Sequence, residues 1–195
     1  MIARRITSAT LATALAATFA LSGCAPILVA GAAAGAALVV SDRRSAGAQV
    51  DDQAIETKAG ANAGSQWGDR IHLNVTSFNG VVLLTGEAPN AETRDAIANM
   101  VRAIDRVRSV QNEIVIAPIT PMSSRTNDTY ITSKVKTRFI EENRFPANRV
   151  KVVTERQVVY LMGIVTRQEG DAATQIASTT TDVVRVVKVF EYTTS

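Results

Sequence analysis

The sequence predicts an α+β protein of two tandem units. Each unit is ordered helix–strand–strand–helix–strand, with two helices packed on a small three-stranded mixed sheet. Three observations predict this. First, the chain repeats itself: Asp52, Ile55 and Lys58 recur as Asp128, Ile131 and Lys134, and Val82, Leu84 and Gly86 recur as Val159, Leu161 and Gly163. Second, each copy alternates helical segments with period-2 strands. Third, at 195 residues, 46% of them hydrophobic, the chain is too apolar for a disordered polypeptide and long enough for two small domains.

The elements are taken from the N-terminus. Arg4 and Arg5 precede an apolar run from about Ala9 to Leu21, the layout of a secretory signal over residues 1–23. Leu21-Ser22-Gly23-Cys24 follows and resembles a lipobox, which marks Cys24 for cleavage and lipidation; several acyl chains anchor stably. The alternative is an incidental Cys in an uncleaved anchor. Cys24 is the only cysteine, so no internal disulfide forms. Ala25, where retention in the inner membrane would favour Asp, points to the outer membrane. Ala25–Val40 is apolar but rich in Ala and Gly and shorter than a bilayer span. It reads as part of a membrane-proximal tether, residues 24–50, with helix packing through Gly31 and Gly35 as the alternative.

The first unit is expected over residues 51–117. Asp51–Ala63 is its opening helix, weakened by Gly60 and Gly64. Ile71–Phe78 alternates as a strand, Asn79-Gly80 supplies a tight turn, and Val81–Gly86 returns. A helix over Asn90–Ala103 and a strand over Val107–Ala117 complete it. A polar linker, residues 118–126, contains Pro118 and Pro121. The second unit, residues 127–195, repeats the order: helix Asp128–Asn143 capped by Asn127 or Asp128, strands Val150–Glu155 and Val158–Gly163, helix Arg167–Thr180, strand Val183–Tyr192. Arg156-Gln157 stands where the first unit has Asn-Gly.

Charge separates the copies. Residues 51–117 carry 9 acidic and 6 basic side chains, and residues 118–195 carry 8 and 11. The basic half is the one to meet an anionic partner, unless the asymmetry serves docking of one half on the other. Units this small have little core, and packing on each other would help both.

At this point the residues resemble a family. Asn74-Val75-Thr76 with Asn79 to Gly86, and Val152-Val153-Thr154 with Val158 to Gly163, are similar to the core of the BON domain. Asp105-Arg106-Val107 and Asp182-Val183-Val184, each before a terminal strand, are similar to its later signature. Asn127 to Val135 is similar to its first helix. Two such units behind a lipobox resemble dual-BON outer-membrane lipoproteins. The resemblance implies a non-catalytic, lipid-anchored protein facing the periplasm, associated with phospholipid binding and envelope integrity.

The helix from Asp128 carries the candidate site. By 100° steps, Ile131, Val135 and Phe139 share a face that should pack on the sheet. Tyr130, Ser133, Lys134, Lys136, Thr137 and Ile140 fall largely on the other, with Arg138 nearby. An aromatic ring with a wet hydroxyl beside lysines suits an anionic phospholipid interface. Tyr130, Ser133, Lys134, Lys136, Thr137 and Arg138 are the expected lipid contacts; a solvated basic helix with Tyr130 against the linker is the alternative. A rival function is a protein adaptor docking an outer-membrane assembly or division-site partner.

Other chemistry has no support in the residues. The single His excludes metal sites or relays needing two histidines, and no catalytic set, cofactor fingerprint or metal site is expected. His72 alternates onto the open face of its sheet, where it should face solvent. Trp67 reads as core or loop packing, and Glu141-Glu142 as a solvated helix end. A small net charge and an extracytoplasmic address argue against nucleic acid.

Overall fold

The computed structural model describes residues 42–194. Cys24, the signal segment and the apolar run after Cys24 lie outside the described residues. In the first unit, helix α1 (Ala46–Trp67) leads into strands β1 (His72–Phe78) and β2 (Val81–Ala88), helix α2 (Ala91–Arg102), and short strands β3 (Ser109–Asn112) and β4 (Val115–Ile116). The second unit runs α3 (Met122–Glu142), β5 (Lys151–Glu155), β6 (Val158–Val165), α4 (Arg167–Ser178) and β7 (Arg185–Tyr192). In each sheet the second strand is central. It pairs antiparallel with the strand before it and parallel with the one after the helix.

The sheets are therefore mixed, as the sequence predicts. The first unit's last strand is split: β3 and β4 pair with successive parts of β2 rather than forming one strand over residues 107–117. Two boundaries also move. α1 begins at Ala46, inside the stretch expected to be tether, where the Ser45 hydroxyl accepts the Ala48 N–H at 3.1 Å and caps it. α3 begins at Met122, inside the expected linker, directly after Pro121, whose φ of −59° and ψ of 154° are those of extended chain. Neither Asn127 nor Asp128 is a cap.

Both long helices bury the same stripe. α1 seats Ile55, Ala59 and Ala63 on its sheet, and α3 seats Ile131, Val135 and Phe139, at the i, i+4, i+8 spacing of one helical face. Gly60 and Gly64 do not break α1; a Cβ at either would meet nothing, so they lie off the packed face. Val82 and Leu84 of β2 pack with Ile97 and Val101 of α2, with Trp67 against them; Val159 and Leu161 of β6 pack with Phe145 and with Ile176 of α4.

The opposite faces of the sheets close on each other. Phe78 and Leu83 from the first sheet form one buried cluster with Tyr160 and Met162 from the second, flanked by Val81, Val153, Val158 and Val187. The result is four layers: helices, sheet, sheet, helices. β2 and β6 are each buried on both faces. This corrects the expectation for His72. It does point away from α1, but that face meets the other unit, and its side chain is only 13% exposed.

Polar links cross the same boundary. Lys151 pairs with Glu56 at 3.0 Å, Arg108 with Glu191 at 2.8 Å, and Asn74 donates to Glu155 at 2.7 Å. Arg43, ahead of α1, reaches Glu169 at 2.6 Å and the Ile164 carbonyl at 2.9 Å. Docking of the two halves thus uses charge of both signs from each.

Candidate functional site

α3 positions the expected lipid contacts. Its buried stripe fixes its rotation, so the residues between are turned outward. Tyr130 is 61% exposed and Ile140 69% exposed, and Ser133, Lys136 and Thr137 are exposed between them. These side chains form one apolar-and-polar strip along the outer face. Lys136 has no ion-pair partner among the described residues.

The other two cations are engaged. Lys134 Nζ lies 4.7 Å from the Tyr130 ring centroid and pairs with Asp182 at 2.5 Å. Asp182 is 48% exposed, so this pair is open to solvent and contributes little to stability. Arg138 turns to α4, donating to the Ile176 carbonyl at 2.9 Å and to the Thr179 and Thr180 hydroxyls at 3.0 Å each. It also donates to Glu142 at 2.6 Å. All of its bonds are within the second unit, where it closes the carboxyl end of α4.

Beside Lys136 and Ile140 lies a recess of about 490 Å³ that sequence reasoning missed. Phe78, Ile140 and Val150 wall it, and Arg44, Lys136 and Lys151 stand around it. Arg44 sits 4.0 Å over the Phe78 ring and is held by Asp42 and Asp52, each at 2.9 Å. The recess joins residues of both units, and no local pattern in either reveals it.

A second polar group sits between the sheets. His72 stands directly across from Glu87 in the β1–β2 register, with its Nδ1 2.9 Å from Glu87 Oε2. Glu155, from the other unit, places Oε1 3.9 Å from the same nitrogen. Glu87 is fully buried and Glu155 5% exposed. Burial raises the pKa of Glu87, but hydrogen bonds from Thr120 and His72 outweigh it and hold the carboxyl below its ordinary value. For Glu155 burial prevails over the Asn74 hydrogen bond, and its pKa is raised. Beside the group a cleft of about 470 Å³ opens between the units, lined by His72, Asn74, Asp128, Thr132 and Glu155 among others.

No helix among the described residues is long and apolar enough to cross a membrane.

The family model described as "BON domain" matches residues 51–118 and again residues 127–194. The chain is 35% identical over 184 residues to the outer membrane lipoprotein DolP of Haemophilus influenzae, covering 93% of this chain and 95% of that protein. It is 32% identical over 153 residues to a 21 kDa hemolysin of Actinobacillus pleuropneumoniae, covering 77% of this chain and 79% of that one. Among solved structures, the C-terminal domain of CdsD, a structural protein of the type III secretion system of Chlamydia trachomatis, aligns at a TM-score of 0.29 and 11% identity. That alignment covers 73% of this chain and 67% of the other, and the likeness is too slight to build on.

Proposed function

The chain belongs to the BON-domain family, and from that premise we propose that it is an outer-membrane lipoprotein facing the periplasm, binding anionic phospholipid through its second BON unit and supporting outer-membrane integrity. The address is supported by the similarity to a relative named as an outer membrane lipoprotein and by the lipobox at Cys24. The role is non-catalytic.

The observation that carries the lipid reading is the outer strip of α3. Tyr130 and Ile140 are more than half exposed on a helix whose other face is fully buried, and Lys136 stands between them unpaired. Exposed apolar side chains beside free cations suit the depth of lipid headgroups, where the ring body is buried and its hydroxyl stays wet. Each cation near an anionic surface contributes about 1 kcal/mol. That is weak alone, but a lipid anchor keeps the bilayer at high effective concentration.

The test is sedimentation of residues 42–194 with vesicles of neutral or anionic headgroup. Binding to anionic vesicles alone, lost on combined replacement of Tyr130 and Lys136, is the expected result. Binding that survives that double replacement overturns the assignment to α3. No binding to either vesicle shifts the function to an adaptor docking an outer-membrane assembly or division-site protein, with Cys24 as its membrane contact.

A further inference from the structure

We propose that His72, Glu87 and Glu155 form a site for one first-row divalent cation, with zinc as the best fit, that joins the two BON units. The three side chains come from β1, β2 and β5, hence from both units, and their ligand atoms all lie within 4.8 Å of one another. Zinc holds nitrogen and oxygen ligands at about 2.1 Å, which sets tetrahedral neighbours about 3.4 Å apart. The separations from His72 Nδ1, 2.9 Å to Glu87 and 3.9 Å to Glu155, bracket that value.

The orientation of the carboxylates is the second observation. Each has one oxygen tied down and the other turned to the shared point. Glu87 Oε1 accepts from Thr120 and, at 3.4 Å, from Arg156, leaving Oε2 toward His72. Glu155 Oε2 accepts from Asn74 at 2.7 Å and from Thr85 at 3.4 Å. Glu155 Oε1, on a side chain 95% buried, stands 3.9 Å from His72 Nδ1. Anchoring one oxygen of a ligand while freeing the other is how supporting hydrogen bonds orient metal ligands.

Charge and access agree. Two buried carboxylates meet one imidazole, and the guanidinium that reaches Glu87, Arg156 at 3.4 Å, is 47% exposed. A nitrogen at 2.9 Å from a carboxylate oxygen needs a proton between them. The cation takes that proton's place on His72 Nδ1. The cleft at Glu155 gives an entry path and room for water at the fourth position. One imidazole with two carboxylates suits zinc or a neighbouring first-row metal. Magnesium and calcium prefer more oxygen ligands.

The experiment is calorimetric titration of ZnCl₂ into the full-length, untagged chain in non-ionic detergent after removal of metal by EDTA. One saturable site per chain is expected, weakened more than about tenfold by His72→Gln and by Glu155→Gln. Excess MgCl₂ should not displace the zinc. Absence of a saturable site, or a site unchanged in both variants, overturns the proposal and leaves an ordinary hydrogen-bonded group between the sheets. Should either variant misfold by circular dichroism, CoCl₂ added to the unaltered chain decides. Intense visible bands of a low-coordinate nitrogen–oxygen site support the proposal, and the spectrum of the aquo ion overturns it.

Discussion

Asp52 and Asp128 hold the same post in the two units: each reaches from its long helix to the hairpin turn of its own sheet. Asp52 accepts the N–H groups of Asn79 at 2.7 Å and Gly80 at 2.8 Å, and the Ser77 hydroxyl at 2.6 Å. Asp128 accepts those of Arg156 at 2.9 Å and Gln157 at 2.8 Å. Both carboxylates are buried, so Asp128→Ala leaves two turn donors without their acceptor. A loss of about 2–4 kcal/mol is expected, read as a fall in melting temperature of about 5–10 °C.

The same clamp predicts acid sensitivity. Burial raises the pKa of Asp52, but hydrogen bonds from Ser77, Gly80, Asn79 and Arg44 prevail and hold it below its ordinary 3.8. A carboxyl lowered on folding stabilises the protein above its unfolded value, and that contribution fades as pH falls through the folded value. Urea melts between pH 5 and pH 2 should show a steep acid loss in the unaltered chain. Asp52→Asn should be less stable at neutral pH and flatter over that window. Parallel curves for the two proteins would refute the clamp.

The second turn is built from the wrong residues for its shape. Arg156 and Gln157 have φ of 52° and 62°, where the first unit has Asn79 and Gly80 at 53° and 75°. Two positive φ values define the tight hairpin turn that favours Asn-Gly, and a side chain there costs about 1 kcal/mol or more. Gln157→Gly should therefore stabilise by about 1 kcal/mol in thermal melts, Arg156 being kept for its contact with Glu87. Gly163→Ala should do the reverse, by about 2–4 kcal/mol, because its Cβ would stand 2.4 Å from the Arg149 carbonyl oxygen.

Local and repeated features were legible in the sequence. The spacing of Ile131, Val135 and Phe139 gives the buried face of α3, and the recurrence of Asp52 as Asp128 marks the duplicated unit. Contacts between the units were not legible. His72, Asn74 and Thr76 alternate as a polar face, and a polar face on a two-layer unit reads as solvent. The contrary signal lay in β2 and β6: Val81 to Leu84 and Val158 to Met162 run apolar without alternation, as strands buried on both faces do. α3's early start was hidden by Pro121 and the serines after it, whose turn propensity reads as linker. The recess by Ile140 and the group around His72 draw on both units, so neither repeat alone predicts them.

Glu169 ties the segment before α1 to the second unit. Burial raises its pKa, but Arg43, the Thr166 backbone and Arg149 outweigh it and bring it down to about 2. It also completes a capping box with Thr166 at the start of α4. Its contribution is present above the ordinary 4.5 and is lost as pH falls toward 2. Glu169→Gln should cost about 1–2 kcal/mol at pH 7 and much less at pH 2. Arg43→Ala should cost less, since the Arg149 pair and the capping box remain.

Lys136 and Arg138 are neighbours in sequence with opposite commitments, and that difference separates lipid contact from structural support. Lys136 is exposed and unpaired, so Lys136→Glu should leave the melting temperature within a degree or so. It should weaken binding to anionic vesicles about tenfold or more, a two-charge change at about 1 kcal/mol each. The loss should shrink as salt rises. Arg138→Ala removes three bonds that close the end of α4 and one to Glu142 on α3. It should lower the melting temperature while leaving vesicle binding per folded molecule unchanged. Vesicle sedimentation and thermal melts on the same two variants check both. If Arg138→Ala instead cuts binding without lowering the melt, the guanidinium leaves α4 for the bilayer, and α3 presents a broader cationic face to lipid than its free form does.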